Sequence, residues 1–229
     1  MTQGAFHHVR TWVFDLDNTL YPPAMSLFDQ IEDRMTDYVV RALGVDRGEA
    51  DRLRGAYWAE YGTTLAGLMA HHQIDADDYL EDVHDIDFSV LSPDPALRAG
   101  LEALPGRRIV YTNGARPYAK EVLKARGLDG AFDAIYGVEH AGYRPKPEQA
   151  VFEAVFALDG IDPATAAMFE DVPRNLTVPH LLGMTTVLVA PAPLAEDHIH
   201  HHTDDLARFL AQIAADGFAS PSPDLPLKT

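Results

Sequence analysis

Apolar residues recur along this chain in two registers. Short unbroken runs such as Thr11-Trp12-Val13-Phe14 and Ile109-Val110-Tyr111 have the length and residue types of strands buried on both faces. Longer stretches space their apolar residues three or four apart, as at Leu27, Phe28, Ile31, Met35, Tyr38 and Val39, which marks one face of a helix. The pattern predicts strands at 10–15, 107–112, 133–137, 166–170 and 185–189, with helices at 116–126, 147–158, 174–182 and 204–214. Strands alternating with helices imply an α/β fold, a parallel sheet covered by helices on both faces.

The roughly 90 residues between the first two strands read as helical throughout. Ser26 is expected to cap a helix starting at Leu27, and further helices are expected at 46–61, 63–72 and 76–83. Residues 22–91 therefore form an expected all-helical insertion, a cap, in a core made of 1–21 and 92–216, with Ser92-Pro93-Asp94-Pro95 marking the return. The composition of 217–229 predicts a disordered tail. No internal repeat is visible.

Composition narrows the function classes. Of 229 residues, 47% are hydrophobic and 23% charged, and the apolar runs fall short of a membrane span. The start of the chain lacks a basic region followed by an apolar one, so a cytoplasmic location is expected. With no cysteine, disulfides, thiol nucleophiles and thiolate metal sites are excluded, leaving oxygen and imidazole ligands. A formal net charge of −17 disfavours nucleic acid and anionic membranes as partners. A small anionic substrate needs a local focus of positive charge, which a divalent cation with one or two basic side chains supplies.

Ligands of parallel α/β sheets bind at the carboxyl ends of the strands. Three predicted strands run into polar clusters there: Asp15-Leu16-Asp17-Asn18-Thr19, Thr112-Asn113-Gly114 and Glu170-Asp171. If pairing continued through Asp17, the carboxylates of Asp15 and Asp17 would share a face and repel unless a cation or a proton intervened. Asp, Asn, Thr and Gly also build ordinary turns, so each cluster alone has a second reading.

Taken together with Lys146, in Arg144-Pro145-Lys146-Pro147, these clusters resemble, in order, the four signature elements of the haloacid dehalogenase (HAD) superfamily over 11–189. The resemblance implies a Rossmann-like HAD-type core. It implies Asp15 as the nucleophile that accepts a phosphoryl group, and Asp17 as the general acid and base. Thr112, Asn113 and Lys146 are implied phosphate-binding residues, with Thr112 and Lys146 also in the catalytic set. Mg2+ is the implied cofactor, held by the side chains of Asp15 and Asp171 and the main-chain oxygen of Asp17. Many relatives carry aspartate where this chain has Glu170, which is expected to bind through a water or to orient the ligands. Dehalogenases carry a non-acidic residue at the position of Asp17, because a halide leaves without a proton, so phosphate ester hydrolysis is favoured.

Within the superfamily, Trp12 to Pro22, Arg116-Pro117-Tyr118-Ala119, Tyr143 to Pro147 and Asp171 to Leu176 are similar to the pyrimidine 5′-nucleotidase subfamily. That likeness implies a nucleoside monophosphate as substrate and a monomer or homodimer. A phosphatase for a sugar phosphate or phosphoglycolate, a phosphomutase, and a catalytically silent binding protein are the alternatives. Tyr57-Trp58 and Tyr61 offer aromatic faces for a base, although aromatics at helical spacing also build core. Arg116 and Arg174 are candidate phosphate contacts. His198-Ile199-His200-His201-His202 is read as a solvated loop before the last helix rather than a metal site, with Thr203-Asp204-Asp205 as that helix's cap.

Overall fold

A computed structural model describes residues 4–216; the tail expectation for 217–229 lies outside them. Strands β1 (Thr11–Phe14), β2 (Arg107–Tyr111), β3 (Ala134–Tyr136), β4 (Ala166–Glu170), β5 (Thr185–Val189) and β6 (His201–Thr203) form one sheet in the order β3-β2-β1-β4-β5-β6. Every pairing is parallel. The chain thus winds outward from β1 first to one side and then to the other, so the carboxyl ends of β2, β1 and β4 lie side by side where the winding reverses, and such an edge is where these sheets open a crevice.

The strands are apolar throughout because both faces are covered. Alternation sends Trp12, Phe14, Val110 and Phe169 into one core layer and Val13, Ile109, Tyr111 and Met168 into the other. The rings of Phe14 and Phe169 stack across β1 and β4 at 4.6 Å. On the first side pack α5 (Pro95–Glu102), α6 (Arg116–Ala125) and α9 (Leu206–Ala215); on the second pack α7 (Gln149–Asp159) and α8 (Thr177–Leu181).

Between β1 and α5 the chain forms α1 (Leu27–Leu43), α2 (Arg47–Tyr61), α3 (Thr64–His72) and α4 (Ala76–Val83). Asp46, Thr63 and Asp75 cap the last three by accepting from the backbone N–H groups of their first turns. Ser26 does not cap α1: it is left-handed, with φ 53°, and its side chain makes no capping bond. No helix among the described residues is long and apolar enough to cross a membrane.

Two elements depart from the sequence expectations. Asp94 and Pro95, read as punctuation, instead start α5, whose Leu97 N–H donates to Asp94 at 2.9 Å and whose Leu97 and Leu101 are buried. The histidine stretch is not a solvated loop, because His201–Thr203 adds strand β6 to the sheet. Its imidazoles are engaged: His200 Nδ1 meets Thr186 Oγ1 at 2.9 Å, His202 Nε2 meets the Ala190 carbonyl at 2.7 Å, and His201 packs on Phe6.

The two chain crossings between the sheet and the helical segment meet at Arg126, which is 2% exposed just after α6. Its guanidinium donates to the Leu20 carbonyl at 3.1 Å, to the Ser92 carbonyl and to Asp94 at 2.8 Å. Losing the guanidinium leaves those acceptors unpaired under the surface. Arg126→Met is expected to lower the unfolding free energy by about 3 kcal/mol in urea titration; an unchanged midpoint would contradict this bracing role.

Candidate active site

β1 ends at Phe14, but its ladder continues for one bond, with Asp15 N–H donating to the Phe169 carbonyl at 2.9 Å. That bond fixes Asp15 at the carboxyl edge while Leu16 stays in the core. Asn18 then takes a left-handed turn at φ 56°, a conformation asparagine tolerates better than most residues. The strand pairing therefore does not extend through Asp17, although both carboxylates line the same cavity.

Lys146 organises the floor. Its ammonium, on a side chain only 1% exposed, donates to Asp15 Oδ1 at 2.6 Å, to Glu170 Oε2 at 2.7 Å and to the Tyr111 carbonyl at 3.1 Å. The loop that delivers it is held by Asn113, whose side-chain oxygen accepts from Lys146 N–H at 2.9 Å. Pro145 and Pro147 flank it, the Lys146–Pro147 bond being cis. Burial works against the charged ammonium, but Asp15 and Glu170 outweigh it and hold the Lys146 pKa above the ordinary lysine range.

Acidic groups outnumber this cation. One carboxylate oxygen from each of Asp15, Glu170 and Asp171 lies within 4.8 Å of the others, the one such group of potential metal ligands among the described residues. Burial, then the Glu170 charge, pushes Asp15 up to about 8, with Lys146 pulling the other way. Burial, then Glu170 and Asp15, pushes Asp171 up to about 9. Three hard oxygen donors this close, opposed by one ammonium, form a set that suits a small divalent cation.

Asp17 takes another direction. Its Oδ1 accepts from Tyr21 OH at 2.7 Å and from Tyr118 OH at 2.5 Å. Burial raises its pKa, and these two hydrogen bonds oppose the rise. Beyond Asp15 and Asp17, Thr112, Asn113 and Gly114 close the site on the β2 side. The Thr112 oxygen accepts from Gly114 N–H at 2.9 Å, which tightens the turn and leaves the hydroxyl proton for another acceptor.

Above the floor opens a cavity of about 530 Å3 roofed by the helical segment. Phe28, Ile31, Met35, Leu65 and Val83 make it largely apolar, and Arg54, Thr64 and Tyr79 add polar groups. Arg174 lies over the Trp58 ring at 3.8 Å and donates to the Trp58 and Gly62 carbonyls, so it bridges sheet edge and helical roof. Arg116 does not line this cavity; its backbone N–H donates to Glu139 instead.

Thus Asp15, Lys146, Glu170 and Asp171, named from sequence, meet around one point, and Thr112 and Asn113 border it. Sequence reasoning missed Tyr21 and Tyr118 as partners of Asp17. The four-residue spacing from Asp17 to Tyr21 was the one available signal.

An acidic crevice at the reversal point of a parallel sheet, under a helical roof, defines a doubly wound α/β hydrolase site. Residues 9–178 match the haloacid dehalogenase-like hydrolase family, and the chain belongs to that family. Among curated relatives, phosphate metabolism protein 8 of Saccharomyces cerevisiae is 29% identical over 200 residues, covering 78% of this chain and 61% of that protein. The chain therefore spans about three-fifths of that relative's length. Among solved structures, a HAD phosphatase from Thermococcus onnurineus aligns with a TM-score of 0.60 at 18% identity, covering 90% of this chain and 98% of that one. An L-2-haloacid dehalogenase from Xanthobacter autotrophicus aligns with a TM-score of 0.57 at 19% identity over 90% of this chain and 98% of its own. At these identities the solved structures share the fold with this chain.

The raised pKa of Asp171 has a thermodynamic consequence. A carboxyl that holds its proton more tightly folded than unfolded costs stability as pH rises from the unfolded value near 4 to the folded value near 9. In chelator-treated protein, Asp171→Asn is expected to be more stable than the parent, by a margin that widens between pH 5 and pH 9 in urea titration. A margin that narrows with rising pH would contradict the crowding of charge.

Proposed function

We propose that this protein is a phosphomonoesterase acting through an aspartyl phosphate on Asp15, with a nucleoside monophosphate as the first substrate class to test. The observation that carries the reading is the buried contact of Asp15 with Lys146, at the floor of a cavity large enough for a metabolite. The phosphate-related name of the yeast relative supports the same chemistry.

In this reading Asp15 attacks phosphorus through a carboxylate oxygen as the bond from phosphorus to the ester oxygen breaks. Asp17 gives its proton to that departing oxygen. A water then loses a proton to the Asp17 carboxylate and attacks the phosphorus of the aspartyl phosphate, releasing inorganic phosphate and restoring both acids. Lys146, turning one N–H from Asp15 to the incoming phosphate, and the Thr112 hydroxyl donate to the phosphoryl oxygens, and Asn113 keeps the Lys146 backbone in register. Asp15, Asp171 and the Asp17 main-chain oxygen would hold Mg2+, with Glu170 beside them, and the ion would offset the negative charge gathered when a phosphate enters this crevice. The three-carboxylate group fits that role.

Residues 22–91 act as a cap that excludes water and meets the leaving group. Its Trp58, Arg54 and Thr64 give the cavity one aromatic face and several hydrogen-bonding groups, a lining suited to a base and ribose. Dehalogenation, the activity named for one of the solved relatives, is disfavoured because a halide needs no proton, whereas this crevice contains an acid held in place by two phenols.

The test is phosphate release from a panel of mononucleotides, sugar phosphates, phosphoglycolate and p-nitrophenyl phosphate, beside chloride release from 2-chloropropionate. Pyrimidine monophosphates are expected to give the highest kcat/KM, chelator to abolish turnover and Mg2+ to restore it. Asp15→Asn is expected to abolish activity while leaving the folded spectrum intact. Turnover that survives in that variant, or halide release in place of phosphate release, would overturn the reading.

A further inference from the structure

The Tyr118 ring is gripped on three sides. Its hydroxyl donates to Asp17 Oδ1 at 2.5 Å and lies 3.4 Å from the Tyr21 hydroxyl, which donates to the same oxygen at 2.7 Å. One face stacks on the imidazole of His84 at 4.2 Å, with the planes 7° apart. The ring also presses on Gly114, in the turn after β2, where a Cβ would lie 3.0 Å from Tyr118 Cδ1. His84 ends helix α4, so it belongs to the helical segment, whereas Tyr118 and Gly114 belong to the sheet side.

We infer that Tyr21 and Tyr118 are positioning residues for Asp17, and that Tyr118 makes the aim of that carboxylate depend on the seating of the helical segment through His84. The inference rests on the phosphatase reading above and adds to it the groups that orient the acid. Both phenols bind Oδ1, which leaves Oδ2 as the oxygen that exchanges a proton with the leaving group and then with water. A carboxylate on a short side chain just before the left-handed Asn18 has a χ1 and χ2 to settle, and two donors on one oxygen settle them. The stack supplies the coupling. When the helical segment lifts, Tyr118 loses the ring that covers it, and the Asp17 carboxylate loses one of its guides until the roof closes again.

The experiment compares an alkyl phosphate, whose leaving oxygen needs a proton, with p-nitrophenyl phosphate, whose leaving group needs little help. Tyr118→Phe and Tyr21→Phe are each expected to lower kcat on the alkyl ester about tenfold, and the double variant about a hundredfold, within the range of general acid catalysis. First-turnover release of p-nitrophenol, which precedes the water step, is expected to stay within about threefold of the parent, because that leaving group needs little proton help and the phosphate-binding groups are untouched. In an Asp17→Asn background, Tyr118→Phe is expected to add no further loss to the residual turnover of the alkyl ester, since the two changes act on one function. His84→Ala is expected to cost about fivefold on the alkyl ester, the size of one aromatic contact, and His84→Phe to recover it.

Equal losses of first-turnover alcohol release from the two esters would overturn the inference, as would unchanged alkyl ester turnover in the phenylalanine variants or additive losses in the Asp17→Asn background. If Tyr118→Phe proves poorly folded by circular dichroism, the two His84 variants decide: an alkyl ester loss that the ring in His84→Phe fails to recover overturns the inference. A parent protein that releases phosphate from neither ester fails as a phosphatase, a result distinct from a parent that turns over while its tyrosine variants match it.

Discussion

The site depends on one ammonium buried between two carboxylates. Lys146 is 1% exposed, and Asp15 and Glu170 each lie within 2.7 Å of it. In so dry a place the ammonium does not persist without a carboxylate beside it, and each carboxylate leans on the one cation to hold its charge. The sheet therefore brings β1 and β4 together with the loop of Lys146 on a single point, and the proposed role of Asp15 rests on that convergence. The remaining acid, Asp171, has its pKa raised by burial first and then by the Glu170 and Asp15 charges that Lys146 does not fully balance.

A second constraint runs from the roof to the floor. Arg174 donates to the Trp58 and Gly62 carbonyls, Tyr143 donates to Asp77 at 2.6 Å, and His84 stacks on Tyr118. Each joins the helical segment to a loop at the carboxyl edge of the sheet. Arg126 braces the two crossings from the far side and leaves them as the points about which the roof and sheet meet. In the proposed reading substrate access and the aim of Asp17 share the same contacts, so that closure would exclude water and complete the site in one movement.

Much of this was legible before any coordinates. The apolar runs ending in Asp15, Thr112 and Glu170 located the edge because parallel strands are buried on both faces and their carboxyl ends are the polar places left. What escaped depended on long-range partners. Strand β6 exists because His201–Thr203 pairs with Val187–Val189, and three residues of mixed polarity give no periodicity to read. Helix α5 hid behind Pro95, which stops a helix in its interior but starts one at its first turn. Ser26 has the right residue type for a cap and the wrong backbone, which residue type alone does not disclose. The bond from Lys146 N–H to the Asn113 side-chain oxygen, a contact across 33 positions of sequence, was likewise out of reach. Tyr118, 101 positions from Asp17, fell in the same class, whereas Tyr21, four positions away, was within reach of local spacing.

The central claim is that the Asp15 carboxylate itself carries the phosphoryl group between substrate and water. Acid quenching during steady turnover, followed by peptide mass spectrometry, reads this directly. The account predicts a phosphoryl adduct on the peptide containing Asp15, present only with substrate and metal and absent from Asp15→Asn. Sustained phosphate release with no adduct there, or with the adduct on a different residue, contradicts it.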